Sequence, residues 1–361
     1  MPSLLAQTIA AIGPLDSDAL VAAAARQAQL TKPAGSMGRL EGLGERLSGM
    51  YAACPPPIPA PVAVAVFAAD HGVWAQGVSP WPQEVTVQMV ANVATGGAVV
   101  SVLADQVGAS VVVVDVGVAG EVPPGLGVVD RKIASGTGDF SVGPAMTAAE
   151  CQEAIEVGIT IANQLIDDGV QLLVTGDLGI GNTTASAALI AAMTGAPAVD
   201  VTGPGAGSDA AMVAHKASVI EQALDRHTGP RKGVPGAEDA TLAVLAAVGG
   251  FEHAALVGFT LGAAARHKPV LLDGVIACSA ALVAHALCPS VTDYLIAGHR
   301  SSEPGATAAL AALGLTPLLD LDLRLGEGSG AVLAVPLVQA SARLLRDVAT
   351  FDSAGVSGRS S

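Results

Sequence analysis

The stretch QLLVTGDLGIGNTT, residues 171–184, decides the fold class. Its first five residues, with Leu172 to Val174 at their centre, are typical of a buried strand, and the glycines that follow open into a helix at Thr183. A strand that ends in glycines and continues as a helix is typical of a parallel α/β sheet. Such a turn also presents helix-start amides, together with the Thr183 and Thr184 hydroxyls, to an anionic group.

The same alternation of Val- or Leu-rich runs with helical patterns extends over most of the chain. It predicts an α/β fold, with a mostly parallel, Rossmann-like sheet and helices on both faces. The predicted strands are 62–69, 110–116, 171–175, 198–202, 269–273 and 318–320. The predicted helices include 84–106, 147–168, 208–227, 252–267 and 331–348, and Thr147 with Glu150 makes a capping box at the start of the second.

The segment before the first strand has a different pattern. Two helices are predicted at 16–30 and 39–53, followed by the stiff linker CPPPIPAP. The predicted division is therefore a small helical subdomain at 1–60, joined by part of the C-terminal segment, an α/β core at 61–330, and a C-terminal helix and tail at 331–361. Residues 117–144 are rich in Gly and Pro, which predicts a long surface connection that can border the site.

Composition excludes several classes of function. Hydrophobic residues make up 51% of the 361 positions but aromatic residues only 2%, which argues against base-stacking nucleic-acid surfaces. With 17 basic and 32 acidic residues the net charge is −15, which repels nucleic acid and anionic membranes. Any phosphate site must therefore be local and built largely from backbone amides.

Two long stretches without formal charge, 85–104 and 178–199, raise the question of a membrane span. Both contain Asn, Thr and Gly clusters, so they are predicted to be buried helices rather than spanning ones. The N-terminus lacks the positive lead of a secretory signal, and a cytoplasmic location is predicted. The four cysteines form no CxxC pair and are interpreted as free buried thiols.

The turn RLGEGSG, residues 324–330, places one acidic residue, Glu327, among glycines before a long apolar helix. Two further glycine turns occur at 176–184 and at 202–207. Each alone is explained as a helix-start turn of an α/β fold, but together they predict an anionic ligand with a carboxylate beside it.

Other chemistries are disfavoured. Asn182 stands where a P-loop needs its lysine, so a nucleoside triphosphatase is not expected, and Asp115 lacks the acidic neighbour of magnesium-diphosphate sites. Lys216 is a candidate cation, although a lysine on a helix face is usually solvated. His71 and His299 lack metal-ligand spacing and are interpreted as turn or core histidines, so no metal site is predicted.

Six ordered motifs and a C-terminal match then point to one family. They are TKPAGSMGRLE (31–41), AADHGV (68–73), GVSPWPQEVTVQMV (77–90), GDLGIGNTT, HRSSEPG (299–305), RLGEGSGA and, near the end, TFDSAGVS. The chain resembles, over nearly its whole length, nicotinate-nucleotide:5,6-dimethylbenzimidazole phosphoribosyltransferases of cobalamin lower-ligand assembly. This resemblance implies a homodimer without cofactor. It also implies a reaction in which nicotinate mononucleotide and dimethylbenzimidazole give α-ribazole 5′-phosphate and nicotinate with inversion.

The resemblance also implies roles for individual residues. Glu327 is the implied general base, and Asp177 is a hypothetical assistant that replaces the Glu found in many members. Ala306 likewise replaces a common His. The implied nucleotide and phosphate residues are Gly179, Gly181, Asn182, Thr183, Gly205, Gly207, Lys216, Ser301 and Arg324. The implied base pocket consists of Ser79, Pro82, Gln88, Met89 and Leu325, of which Met89 and Leu325 equally suit an ordinary core.

Two alternatives remain open at this point. One is a catalytically silent relative that only binds a nucleotide or benzimidazole, against which the isolated Glu327 argues. The other is the same transfer to a different azole or a purine, because pocket shape discriminates weakly among flat rings.

Overall fold

The computed structural model describes residues 2–227 and 238–357, and a parallel sheet forms its centre. Six strands lie in the order β3-β2-β1-β4-β5-β6, which is the strand order of a doubly wound Rossmann sheet. Two more short strands, β7 and β8, pair in parallel beside it. The strands are β1 Val62–Ala69, β2 Ala109–Gly117, β3 Val129–Asp130, β4 Leu172–Leu178, β5 Val270–Leu272, β6 Leu295–Ala297, β7 His299–Arg300 and β8 Leu319–Asp320.

Helices precede, separate and follow the strands. Short 3₁₀ helices span Gly72–Gln76 and Pro289–Tyr294. The α-helices are α1 Leu4–Ala11, α2 Ser17–Gln29, α3 Arg39–Tyr51, α4 Val85–Ala94, α5 Val99–Val107, α6 Ala148–Asp167, α7 Asn182–Thr194, α8 Ala198–Val201, α9 Ala210–His227, α10 Glu238–Val248, α11 Phe251–Ala265, α12 Val275–Leu287, α13 Pro304–Leu313, α14 Ser329–Asp347 and α15 Phe351–Ala354.

Helices cover both faces of the sheet, which explains the continuous apolar runs of its strands. All eight residues of β1 and all seven of β4 are buried. One group, α6, α11 and α12, is held close by glycines: a Cβ at Gly258 would collide with the backbone of Ile155. A second group includes α4, α5 and α14. The predicted fold class is confirmed.

Several predicted elements need correction. The segment predicted as a strand at 198–202 is the short helix α8, in which the Thr202 hydroxyl donates to the carbonyl of Ala198 at 2.7 Å. No strand lies between β4 and β5 along the described chain, so this segment has no ladder to join. The single helix predicted at 84–106 is broken into α4 and α5, because Gly96 adopts a φ of 86° between them. The capping box of Thr147 and Glu150 is confirmed.

The segment Val85–Val107 is also the one stretch of the described residues that is long and apolar enough to suggest a membrane span. The break at Gly96 leaves helices of ten and nine residues, whereas a span needs about 20. Neither α4 nor α5 is therefore long enough to cross a bilayer by itself.

Helices from the two ends of the chain pack together. In α3, Gly44 lies so close to α14 that a Cβ there would sit 2.8 Å from the Ser341 carbonyl oxygen. Arg26 of α2 donates to the Arg346 carbonyl at 2.9 Å. The predicted division at 1–60, 61–330 and 331–361 stays a prediction, and residues 1 and 358–361 of its terminal parts lie outside the described residues.

Candidate active site

The carboxyl ends of β1, β4 and β5 meet at one edge of the sheet, where polar residues collect. Asp70 and His71 follow β1, Asp177 lies near the end of β4, and Asp273 follows β5; all four are buried. The strand order reverses between β1 and β4, and in open α/β sheets this is the place where a crevice for a ligand forms.

Glu327 lies in a tight turn at the start of α14. Gly326, Glu327 and Gly328 have φ angles of 91°, 65° and 97°, and this left-handed conformation is unusual for a glutamate. The turn sits directly against β4, because a Cβ at Gly176 would lie 2.5 Å from the Glu327 carbonyl oxygen. The glycine after Thr175 therefore makes room for the turn that carries Glu327.

Glu327 is buried, and only 4% of the residue is exposed. Burial raises its pKa, the Val100 N–H at 3.4 Å opposes the rise, and the negative charge of Asp273 adds to it. A carboxylate with a raised pKa is a stronger base than one in water. This group is therefore suited to accept a proton from a bound ligand.

Asp177 lies beside the same turn, since a Cβ at Gly326 would be 3.3 Å from its Oδ2. Burial raises the pKa of Asp177 well above its usual value, and the nearby charges of Asp273 and Glu252 add to the rise. The Asn182 side chain donates to Oδ2 at 3.0 Å and opposes it, while Oδ1 has no partner among the described residues. Asp177 thus holds its proton to higher pH than an ordinary aspartate.

The two phosphate-binding turns predicted from sequence converge on one lysine. Lys216 is 1% exposed, contrary to the solvated lysine that a helix face usually carries. Its Nζ donates to the Thr183 hydroxyl at 3.1 Å and to the Gly203 carbonyl at 3.0 Å. A Cβ at Gly205 would lie 2.8 Å from Thr183 Oγ1. The structure therefore brings Thr183, Gly205 and Lys216 together, next to Gly181, which precedes α7 with a φ of 98°.

Glu303 joins this cluster although the sequence did not suggest it. Its Oε1 accepts the Gly205 N–H at 2.7 Å, and its own N–H donates to Ser301 Oγ at 3.3 Å. Burial lowers the pKa of Lys216, and the negative charge of Glu303 partly offsets that fall. Arg324 donates to the Gly205 carbonyl at 2.7 Å. The implied nucleotide residues Ser301 and Arg324 thus border the same turn. A Cβ added at Gly207 would meet no atom within 4 Å.

The implied base-pocket residues are spread along the more exposed side of this region. Ser79 and Pro82 precede α4, Gln88 and Met89 lie on it, and Leu325 is 56% exposed just before the Glu327 turn. Met89 packs partly against the core, as one of the two interpretations of the sequence expected. Within the described residues, no hydrogen bond joins any of these five side chains to Glu327 or Asp177.

Both tryptophans of the chain lie near the second glycine turn. Trp81 is 48% exposed and donates its indole N–H to the Ala206 carbonyl at 2.9 Å. Trp74 donates to the Trp81 carbonyl, also at 2.9 Å. The Trp81 indole is thus tied to the turn at 202–207.

His71 belongs to a buried network that the sequence did not reveal. Its Nε2 lies 2.7 Å from Glu252 Oε1, and His253 Nδ1 lies 2.8 Å from the same oxygen. The Ser186 hydroxyl is 2.8 Å from His253 Nε2. The side chains of His71, Glu252 and His253 are of the types that can bind a metal ion. Ligands around tetrahedral zinc stand about 3.3 Å apart, so the spacing here is that of hydrogen bonds.

Three further buried residues, Asp70, Thr86 and Asp273, were not predicted from the sequence. Thr86 donates to Asp70 Oδ1 at 2.7 Å and accepts the Ile180 N–H at 3.1 Å, so it ties α4 to the glycine turn after β4. Their positions in the sequence could have indicated Asp70 and Asp273. Asp70 follows one predicted parallel strand and Asp273 ends another, and ligands bind at that edge of such a sheet.

The long connection at 117–144 does border this edge. The Thr137 N–H donates to the Asp70 carbonyl at 3.0 Å, and the Thr137 hydroxyl accepts the Gly72 N–H. Part of the connection lines a separate cavity of about 750 Å³. Two of its four charged lining residues form an ion pair, in which Lys132 Nζ lies 3.3 Å from Asp115. Glu327, Asp177 and Lys216 are not among the described residues that line this cavity.

Comparison with known proteins shows the family of this chain. A family model described as Phosphoribosyltransferase matches residues 12–356. The chain is 55% identical to the nicotinate-nucleotide–dimethylbenzimidazole phosphoribosyltransferase of Salinispora tropica, covering 98% of this chain and 99% of that one. It is 54% identical to the enzyme of that name from Roseiflexus sp. strain RS-1, with 99% of each covered.

A solved structure is similar over the same length. The nicotinate-nucleotide–dimethylbenzimidazole phosphoribosyltransferase of Thermus thermophilus superposes with a TM-score of 0.89 at 44% identity, covering 96% of this chain and all of that one. The fold and the relatives therefore define a phosphoribosyltransferase. More particularly, the chain belongs to the nicotinate-nucleotide–dimethylbenzimidazole phosphoribosyltransferase family, as its motifs predicted.

Proposed function

We propose that this enzyme transfers the phosphoribosyl group of nicotinate mononucleotide to 5,6-dimethylbenzimidazole. The products are α-ribazole 5′-phosphate and nicotinate, for assembly of the cobalamin nucleotide loop. The observation that carries the proposal is Glu327, a buried carboxylate of raised pKa held at the same sheet edge as two glycine turns and a buried lysine. The names of the relatives support the same substrates.

The chemistry needs one base and little else. In nicotinate mononucleotide the ring nitrogen of the leaving group is already cationic, and it becomes neutral as the glycosidic C–N bond breaks and nicotinate departs. No acid is therefore needed at that bond. Attack by one benzimidazole nitrogen on the anomeric carbon builds positive charge on the acceptor ring. Glu327 relieves that charge by taking the proton from the other nitrogen, a contribution typically worth about 10²- to 10⁴-fold in rate. Attack from the face opposite the leaving group inverts the β-nucleotide to the α-product.

Asp177 is proposed to assist by a different route. Burial and the negative charges of Asp273, Glu252 and Glu327 raise the pKa of Asp177 and so favour its neutral, protonated form. A neutral carboxyl group donates a hydrogen bond, whereas an ionised one only accepts. Asp177 thus suits a supporting role beside the base, and its shorter side chain keeps that function with less reach than the Glu of many relatives.

The phosphate is proposed to bind between the two glycine turns. Lys216 supplies the buried cation, and the start of α7 contributes the Thr183 amide and the helix dipole. The Asn182 N–H already donates to the Gly179 carbonyl at 3.2 Å. The Gly205 N–H is already donated to Glu303, so phosphate that uses this amide has to displace that carboxylate. Such a local site is compatible with the net charge of −15.

The test is a product assay with a matched variant. Purified protein is incubated with nicotinate mononucleotide and dimethylbenzimidazole, and α-ribazole 5′-phosphate and nicotinate are followed by chromatography and mass. Glu327→Gln should lose most of the rate, whereas Glu221→Gln, a change on the exposed surface of α9, should keep it. The anomeric configuration of the product, read by NMR, tests inversion. Nucleotide binding without any product would favour a silent binding protein instead.

The acceptor is tested separately. A panel of dimethylbenzimidazole, unsubstituted benzimidazole and adenine is offered with one donor, and the kcat/KM values are ranked. Leu325 and Pro82 offer exposed apolar surface to a flat ring, and such contact by itself discriminates weakly among ring systems. A clear preference for adenine would overturn dimethylbenzimidazole as the substrate.

A homodimer is also proposed. Val99 and Val102 of α5 are 49% and 60% exposed, and only 28% of the apolar segment that contains them is buried. Such a surface is typical of a covered interface. Light scattering should give twice the 35.4 kDa chain mass, and Val102→Glu should shift it toward the monomer. A cytoplasmic location is proposed as well, and the four free cysteines are compatible with it.

A further inference from the structure

The Asp273 carboxylate accepts backbone hydrogen bonds from the turn that carries Glu327 and from the first turn of α14. Asp273 follows β5, is 1% exposed, and directs its two carboxylate oxygens at α14. Its Oδ2 accepts the Gly328 N–H at 3.1 Å, and its Oδ1 accepts the Ala331 N–H at 2.9 Å. Gly328 is the residue directly after Glu327, so Asp273 restrains the peptide that follows the base.

Asp273 is itself fixed on two sides. Its own N–H donates to the Thr175 hydroxyl of β4 at 3.0 Å. His299 Nε2 lies 3.2 Å from Asp273 Oδ1, and a Cβ at Gly330 would collide with the His299 ring. Burial alone would lower the pKa of His299, but contact with Asp273 outweighs it and raises the pKa. The contact with Asp273 therefore favours the protonated form of His299.

The start of α14 depends on this support. Gly328 is the N-cap of α14 and has no side chain, so the first amides of the helix need acceptors from elsewhere. Glu327, with its φ of 65°, sits in a conformation that persists only where the surroundings determine it. A carboxylate reaching in from the neighbouring strand supplies both the cap and the constraint.

We propose that Asp273, backed by His299, is a positioning residue that fixes the Glu327 turn and so aims the base at the acceptor. The inference rests on the proposed function, in which Glu327 takes the proton. The simpler interpretation makes Asp273 only a helix cap that contributes stability. The two interpretations differ in one respect: a positioning residue acts through Glu327 and loses its effect when Glu327 can no longer act as a base.

A double-mutant cycle separates them. Turnover is measured for wild type, Asp273→Asn, Glu327→Gln and the double variant. The Asn amide turns one of the two backbone acceptors into a donor, so we expect kcat to fall about 10- to 100-fold in Asp273→Asn, since a small displacement of a catalytic group is costly. The KM for the nucleotide should change less than about twofold. In the Glu327→Gln background the same change should lower kcat by less than about twofold.

Equal fold losses in both backgrounds would overturn the inference while leaving the proposed base intact. A Glu327→Gln variant with wild-type turnover would instead remove the proposed base, and the inference with it. Unchanged kcat in Asp273→Asn, together with a lowered Tm, would reduce Asp273 to a helix cap.

Controls guard against trivial loss of folding. Asp115→Asn is matched, because Asp115 also follows the apolar part of a strand and accepts two backbone N–H groups, from Gly117 and Val118. It should lower Tm with kcat nearly unchanged. If Asp273→Asn gives no folded protein, His299→Gln is used in the same cycle. A loss confined to the protein that retains Glu327 supports the inference, and an equal loss in both backgrounds overturns it.

Discussion

The site has a buried floor and an exposed rim, and the two are built differently. The floor, defined as Asp177, Asp273 and Glu327, is at most 4% exposed, and glycines or backbone amides contact each carboxyl group. The rim, defined as Trp81, Pro82, Gln88 and Leu325, is exposed, and Trp81 and Leu325 are about half open. Rigid, preorganised groups suit proton transfer next to developing positive charge, whereas an open rim suits adaptation to the shape of a flat ring.

The largest expected effect is at the centre of the floor. Glu327→Gln keeps the size of the side chain but cannot accept the acceptor proton, so kcat should fall about 10²- to 10⁴-fold. The KM for the nucleotide should stay within a few fold, because Glu327 is not among its proposed contacts. Steady-state kinetics with both substrates check this. A Glu327→Gln enzyme that keeps more than about a third of the wild-type kcat would mean that the floor does not supply the base.

A second change tests the packing that supports the base. Gly176→Ala places a methyl group 2.5 Å from the Glu327 carbonyl oxygen, so either the turn or β4 must shift. Overpacking of this kind costs about 1–3 kcal/mol of stability, and we expect a loss of kcat of about 10-fold or more. Gly143→Ala is the matched control, because no atom lies within 4 Å of its added Cβ. Denaturant unfolding and kinetics are measured on both; equal behaviour would contradict a tightly packed floor.

The pH dependence of turnover follows from the raised pKa of Glu327. The base form exists above that pKa, so kcat should decline as the pH falls through it, at a higher pH than for an ordinary glutamate. In Glu327→Gln the residual rate should lose this acidic limb. A pH–rate profile of both proteins gives the result, and an acidic limb that survives in the variant would belong to another group.

Asp177→Asn is expected to separate activity from stability. Because the folded-state pKa of Asp177 is raised, the wild type loses stability as pH rises above the unfolded-state value toward the folded one. Asn carries no such penalty, so the Tm of the variant should exceed that of wild type near about pH 8, and this advantage should shrink toward about pH 4. Turnover should fall about tenfold, because the Asn amide replaces a hydroxyl donor. A lower Tm on the alkaline side would contradict a neutral, buried Asp177.

The smallest effect is expected at the rim. Leu325→Ala removes apolar surface that is already 56% exposed, so the acceptor KM should rise by no more than about tenfold with kcat nearly unchanged. The ranking of acceptors should shift more than the rate of the preferred one. Kinetics over the acceptor panel check this, and a loss of kcat as large as that of Gly176→Ala would erase the distinction between rim and floor.

Much of the fold was predictable because its signals are local. The apolar run before the GDLGIGNTT turn marks β4, and the capping box of Thr147 marks the start of α6. The strand expected at 198–202 was wrong. A run of five residues that contains Val is compatible with either a short strand or a short helix, and only a neighbouring strand with which it can pair decides between them. Strand β6 was not predicted because it has only three residues, and helix α12 was not predicted because it is almost uniformly apolar and shows no helical periodicity.

The amino-acid sequence by itself determined the family and the order of its motifs, and it marked Glu327, because an acidic residue among glycines is unusual wherever it occurs. Only the tertiary structure decided that Lys216 is buried against Thr183, that Glu303 occupies the Gly205 amide, and that Asp273 and His299 lie beneath the Glu327 turn. The reason is physical: burial and hydrogen bonding depend on which strands become neighbours, and Asp273 lies 54 residues before Glu327 along the chain. Parallel strands bring such distant residues to one edge of the sheet, where local patterns no longer describe their surroundings.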